Sequence, residues 1–100
     1  MAQTPLFQQA GHKYAHQNGA GTLQVKALAG YLDSVIFNQG ASAATMIIYD
    51  NTAGSGTIIA SVTIGSSGVI TPVKVAYNLN TTTALTIVTT GTIDITVCYT

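Results

Sequence analysis

Ile93-Asp94-Ile95-Thr96-Val97-Cys98-Tyr99 decides the fold class of this chain: Ile93, Ile95, Val97 and Tyr99 alternate strictly with Asp94, Thr96 and Cys98. A period of two sends successive side chains to opposite faces of an extended backbone, so the segment predicts a half-buried strand. Working backwards, Leu85 and Ile87 define another strand, joined to the last one by a Thr89-Thr90-Gly91 turn. Residues 57–64 place Ile58, Ala60, Val62 and Ile64 on one face, and Gly65-Ser66-Ser67-Gly68 then turns the chain into residues 69–77. Pro72 interrupts that run and cannot donate to a ladder, which marks an edge strand or two strands meeting at a bulge. Residues 44–50 form a further strand between two turn-prone stretches, Asn38-Gln39-Gly40 and Asp50-Asn51-Thr52-Ala53-Gly54-Ser55-Gly56. In residues 22–28, Leu23, Val25 and Ala27 face inward and Gln24 and Lys26 outward. In 31–38 the parity is ambiguous, because Tyr31, Val35 and Phe37 are apolar and so are Leu32 and Ile36.

No stretch carries helical periodicity. Seven or eight short strands rich in Thr, Val and Ile, at roughly even spacing, predict an all-β chain: a small β-sandwich of Greek-key or jelly-roll type, with an up-and-down barrel as the alternative architecture. Residues 1–20 stand apart from this pattern and read as an extended N-terminal arm carrying Pro5, Leu6, Phe7 and Tyr14, ahead of a β-sandwich body over residues 21–100. An arm with so little to bury needs a surface to lie on, whether its own body, a sister subunit or a larger partner.

A chain of 100 residues makes one domain, and a fold of this size buries only about 65% of the surface its unfolded chain exposes. Association is a common remedy, since Cys98 is the only cysteine and no intrachain disulfide can form. Charged residues are 6% of the chain: Lys13, Lys26, Lys74, Asp33, Asp50 and Asp94, summing to zero. Soluble monomers usually carry dispersed charge that resists association. A neutral surface of Thr, Ser, Asn, Gln and Ala points instead to one that is largely covered. Three scattered lysines and no arginine argue against nucleic acid as a partner. No apolar run approaches the ~20 residues of a membrane helix, so no membrane partner is expected. The amino terminus lacks the layout of a signal peptide, so the expected site of synthesis is a cytoplasm.

His12 and His16 have the i,i+4 spacing that would align two imidazoles on a helix, but Gly11 opposes a helix and no carboxylate or cysteine is close in sequence. The expectation is two polar arm residues touching a neighbour, with no metal and no cofactor. Catalysis by carboxylates needs a pair in one pocket, and Asp33, Asp50 and Asp94 are the whole supply. Asp50, at the head of Asp50-Asn51-Thr52, reads as a turn residue capping its own backbone. Asp33 and Asp94 fall at polar-face or interface positions, and no enzyme is expected. Cys98 has only Val97, Tyr99 and Thr100 beside it and lacks an activating base in sequence, so it reads as a strand thiol. Tyr31, Tyr49, Tyr77 and Tyr99 occur once in each of four strands; packing explains them first, and a stacking platform for sugars second.

The segments Asp50-Asn51-Thr52-Ala53 through Thr57-Ile58-Ile59-Ala60, Leu85-Thr86-Ile87-Val88-Thr89-Thr90-Gly91-Thr92 and Asp94-Ile95-Thr96-Val97-Cys98-Tyr99 resemble small virion structural proteins of tailed bacteriophages, over roughly residues 29–100. The resemblance implies a head-decoration or cement subunit: a β-sandwich, a homotrimer, bound to the major capsid protein on the virion exterior. In that setting Pro5, Leu6, Phe7 and Tyr14 would anchor the arm on its partner. Thr-rich strands of this kind also resemble fibre and tail modules, in which exposed tyrosines and loop residues such as Asn51 and Asn80 would bind host glycans.

Overall fold

The computed structural model describes residues 12–69 and 71–100. The described residues form eight strands: β1 (Lys13–Asn18), β2 (Gly21–Lys26), β3 (Tyr31–Gly40), β4 (Thr45–Tyr49), β5 (Ile58–Thr63), β6 (Val73–Asn80), β7 (Leu85–Thr90) and β8 (Ile93–Tyr99). They build two four-stranded antiparallel sheets, ordered β1-β8-β3-β6 and β2-β7-β4-β5. The pairing is nested: β4 with β5, β3 with β6, β2 with β7 and β1 with β8. This is one long antiparallel hairpin whose successive rungs fall alternately into the two sheets, the connectivity of an eight-stranded jelly roll. An up-and-down barrel would pair each strand with its chain neighbour, and only β4 and β5 do so here.

Nesting buries the middle of each sheet. Leu32, Val35 and Phe37 of β3, Met46 and Ile48 of β4, Leu85 and Ile87 of β7, and Ile93, Ile95 and Val97 of β8 form the core, closed by Ala44 and Ile64. All four strands named are inner strands of their sheets. Each such side chain contributes about 1.5–3 kcal/mol on leaving water. Val25, Ile59, Ala60, Val62, Val75, Tyr77 and Leu79 come from the edge strands and are only partly buried.

A bulge resolves the ambiguous parity of β3. Leu32 opposes Tyr99 while Ser34 opposes Cys98, so two steps along β3 match one along β8 and Asp33 is the extra residue. Side-chain direction inverts across a bulge, which is how Leu32, Val35 and Phe37 all point inward. β6 follows the kink with Asn78 in the left-handed region, at φ 52°. Pro72 lies just before β6, which is an edge strand. A second bulge leaves Ile58 54% exposed, off the face it was expected to share with Ala60, Val62 and Ile64. Ala27 lies beyond the end of β2 and is exposed.

The sheet also reaches into the stretch expected to be an arm. Lys13–Asn18 is β1, in register with β8 from Lys13 opposite Tyr99 to Asn18 opposite Asp94. The body therefore includes residues on the amino-terminal side of residue 21. Sequence pattern did not reveal this because Lys13-Tyr14-Ala15-His16-Gln17-Asn18 has no apolar alternation: the strand exists through its ladder.

Candidate functional site

The alternation of β1 puts His12, Tyr14 and His16 on the outer face of their sheet, along one edge. His16 Nε2 lies 2.6 Å from Asp94 Oδ1, and Asn38 Nδ2 donates to the same oxygen at 3.1 Å and to Thr96 Oγ1 at 3.0 Å. The Asn38 and His16 hydrogen bonds hold the Asp94 carboxyl below the usual carboxylate range. His12 Nε2 lies 3.7 Å from Asp33 Oδ1, while its Nδ1 meets Thr100 Oγ1 at 2.8 Å and its ring stacks on Tyr31 with centroids 6.2 Å apart. Ser34 Oγ donates to Asp33 Oδ2 at 3.0 Å, and Tyr31 OH donates to Asn78 Oδ1 at 3.1 Å. Neither imidazole has a carboxylate close in sequence, yet the sheet brings one to each from β8 and β3. The two histidines belong to two separate clusters, and among the described residues no three potential metal ligands converge.

Asp50 has a different task from the one expected. It does not cap its own turn. Its carboxylate reaches across to the β6–β7 connection, accepting from the backbone N–H groups of Thr82 (2.9 Å), Thr83 (2.8 Å) and Ala84 (3.2 Å) and from Thr82 Oγ1 (2.9 Å). The backbone donors of Thr82 and Thr83 are the main cause of its depressed pKa, about 2. Asn51 makes the local turn, its Oδ1 accepting from Thr52 N and its Nδ2 donating to Ser55 O.

That turn begins a strap, residues 50–57, which folds back over the outer face of the second sheet. Thr86 Oγ1 donates to Asn51 O at 2.7 Å and Gln24 Nε2 to Thr52 O at 2.8 Å. Gly54 presses so closely on Val88 that an added Cβ would sit 2.5 Å from Val88 Cγ2. Thr86, although on an outer face, is thereby buried.

Pro5, Leu6 and Phe7 lie outside the described residues. Tyr14, the remaining expected anchor, is 73% exposed. Its register partner is Cys98, a half-buried free thiol. The four strand tyrosines share no platform. Tyr77 and Tyr99 pack against the core, and burial raises the Tyr77 pKa. Tyr31 takes part in the His12 cluster, and Tyr49 belongs to the second sheet. Asn80 is exposed at the end of β6, while Asn51 is committed to its turn. Each of the three aspartates is occupied by partners within the chain, no two of them share a partner, and no pocket opens among the described residues. Comparison with known protein families, curated proteins and solved structures finds no match for the chain.

Proposed function

We propose that this protein is a non-enzymatic structural subunit that works by covering the surface of a larger protein assembly, with the exterior of a tailed-phage head as the specific case and a homotrimer as its working form. The observation that carries the reading is the scarcity of charge. With only three lysines and three aspartates in 100 residues, summing to zero, few ionic groups are available to keep the surface apart from other proteins. The jelly roll supports the reading by analogy alone, since virion shells and lectins both use it. The separation of the tyrosines weighs against the glycan-binding alternative.

The mechanism is linkage. A subunit that binds only the assembled, expanded shell adds its binding free energy to that state, about 2.7 kcal/mol per site at a hundredfold excess over Kd. The shell then resists heat and internal pressure without any chemical step. The major capsid protein is the partner in this reading, and Pro5, Leu6, Phe7 and Tyr14 are the contacts assigned to it.

The test is light-scattering mass of the full chain and of a variant lacking residues 1–11, followed by co-sedimentation with undecorated expanded heads. Truncation at residue 20 would also delete β1 and confuse folding with binding. A trimer that sediments with shells, and loses that ability without residues 1–11, is the expected result. A monomer indifferent to shells, with binding on a glycan array, would replace this reading by the fibre-module one.

A further inference from the structure

Seven of the eight strands place at least one side chain in the core or in the apolar layer against it; among the described residues, β1 places none. Its inward positions are Ala15 and Gln17, both only half-buried. What holds β1 is the ladder to β8 and three kinds of polar tie: His16 to Asp94, His12 to Thr100 and Asp33, and Gln17 Nε2 to Thr89 Oγ1 at 3.4 Å. Every one of these is made to β3, β7 or β8 or to the end of the chain, so an identical strand from elsewhere would make them equally well.

The link to β2 is equally telling. Gly19 and Ala20 alone carry the chain from one sheet to the other, with Gly19 at φ +93° and the end of the Gln17 side chain lying against Gly21. Short, tight hinges are where exchange of an identical element between copies costs least, because opening the hinge relieves the constraint while all other contacts are restored in the partner. An empty β8 edge, by contrast, would leave a row of unpaired backbone groups. Within the single chain that edge is filled by β1, with the imidazole of His16 reaching Asp94 and that of His12, just before the strand, reaching Thr100. Lys13 is the only lysine or carboxylate in the strand, so little charge opposes approach of a second copy.

We propose that β1 is an exchangeable strand: Lys13–Asn18 of one copy pairs with β8 of a second copy, in the register seen within the single chain. The proposal concerns how copies join one another and stands whether or not a capsid is the larger partner.

Tyr14 and Cys98 are direct register partners, and facing residues of an antiparallel pair have Cα atoms about 4.5–5.5 Å apart, within disulfide range. A double variant, Tyr14→Cys with Cys98→Ala, carries its thiol on β1 only, and size-tagged wild type carries one on β8 only. The two are mixed, incubated and oxidised mildly, then separated without reductant. The expected result is a mixed disulfide between the two sizes, rising with protein concentration and absent when Thr22→Cys/Cys98→Ala replaces the β1 variant. The proposal is overturned if no mixed species forms while the single variant Tyr14→Cys closes a disulfide within one chain. Should the variants refold poorly, hydrogen exchange on wild type decides: β1 amides at least about tenfold faster than those of β3 agree with a strand that leaves and returns, and β1 amides that exchange only with global unfolding overturn it.

Discussion

β1 and β7 are both six-residue strands of four-stranded sheets, yet they are held in place by different physics. β7, Leu85-Thr86-Ile87-Val88-Thr89-Thr90, lies inside its sheet, with Leu85 and Ile87 sunk in the core and even Thr86 and Thr89 buried. β1 lies at an edge, with a ladder on one side and polar side chains doing the rest. The contrast teaches that a backbone ladder sets where a strand lies, whereas apolar burial sets how hard it is to remove: hydrogen bonds exchanged for water contribute little net, and burial contributes most of the driving force.

The largest expected effect tests the β7 half of the comparison. Ile87→Ala opens a cavity at a fully buried position; it should cost about 3 kcal/mol and lower the thermal midpoint by roughly 10–20 °C. A melt by circular dichroism shifted by only a degree or two would mean that β7 is not the strand that anchors the core.

Asp50→Ala comes next. It strips one acceptor from three backbone N–H groups of the β6–β7 turn that leads into β7, at about 2 kcal/mol. Its carboxyl titrates near pH about 2 against an ordinary value of 3.8. A depressed folded-state pKa stabilises the protein above the unfolded value, and that stabilisation is lost as pH falls from about 4 towards 2. Wild type should therefore lose stability across that window, measured by urea midpoints, and Asp50→Asn should lose less there because it has no charge to titrate. Equal slopes would show that other carboxylates govern acid unfolding.

Gly54→Ala sharpens the comparison from outside the core. The new methyl collides with Val88 of β7, so the strap must lift from that face, costing about 1 kcal/mol. Faster proteolysis within residues 50–57, with the rest of the chain intact, is the expected readout; unchanged cleavage would show the strap already free.

His16→Ala should move the thermal midpoint least of the four, because the imidazole and its partner Asp94 face solvent. Its effect should be local: faster amide exchange in β1 with β3 and β7 unchanged. A midpoint drop as large as that of Asp50→Ala would make β1 an integral part of the cooperative unit and erase the contrast with β7.

The apolar alternations of the inner strands were placed correctly from sequence, whereas those of the edge strands failed at Ile58 and Ala27. The runs around Ile87 and Ile95 and the 44–50 strand all appear as inner strands, since two-sided burial demands the residues that make a pattern visible. β1 was not legible, because an edge strand stabilised by pairing needs no apolar period. The Asp33 bulge was equally hidden: one extra residue leaves no compositional trace, and only the register with β8 reveals it. The candidate site fared similarly. Both histidines and all three aspartates stood out as the scarce polar chemistry of the chain, but who meets whom depends on segments far apart in sequence, 78 residues for His16 and Asp94 and 32 residues for Asp50 and Thr82.

By itself the sequence determined an all-β chain with a sandwich-sized set of strands and only six charged residues, because periodicity and composition are local properties. The tertiary structure alone decided the nesting of the strands into a jelly roll, the recruitment of Lys13–Asn18 as β1, and the partners of every aspartate. Those follow from long-range pairing, where the free energy of a contact depends on which distant segment arrives, and no short stretch of sequence carries that information.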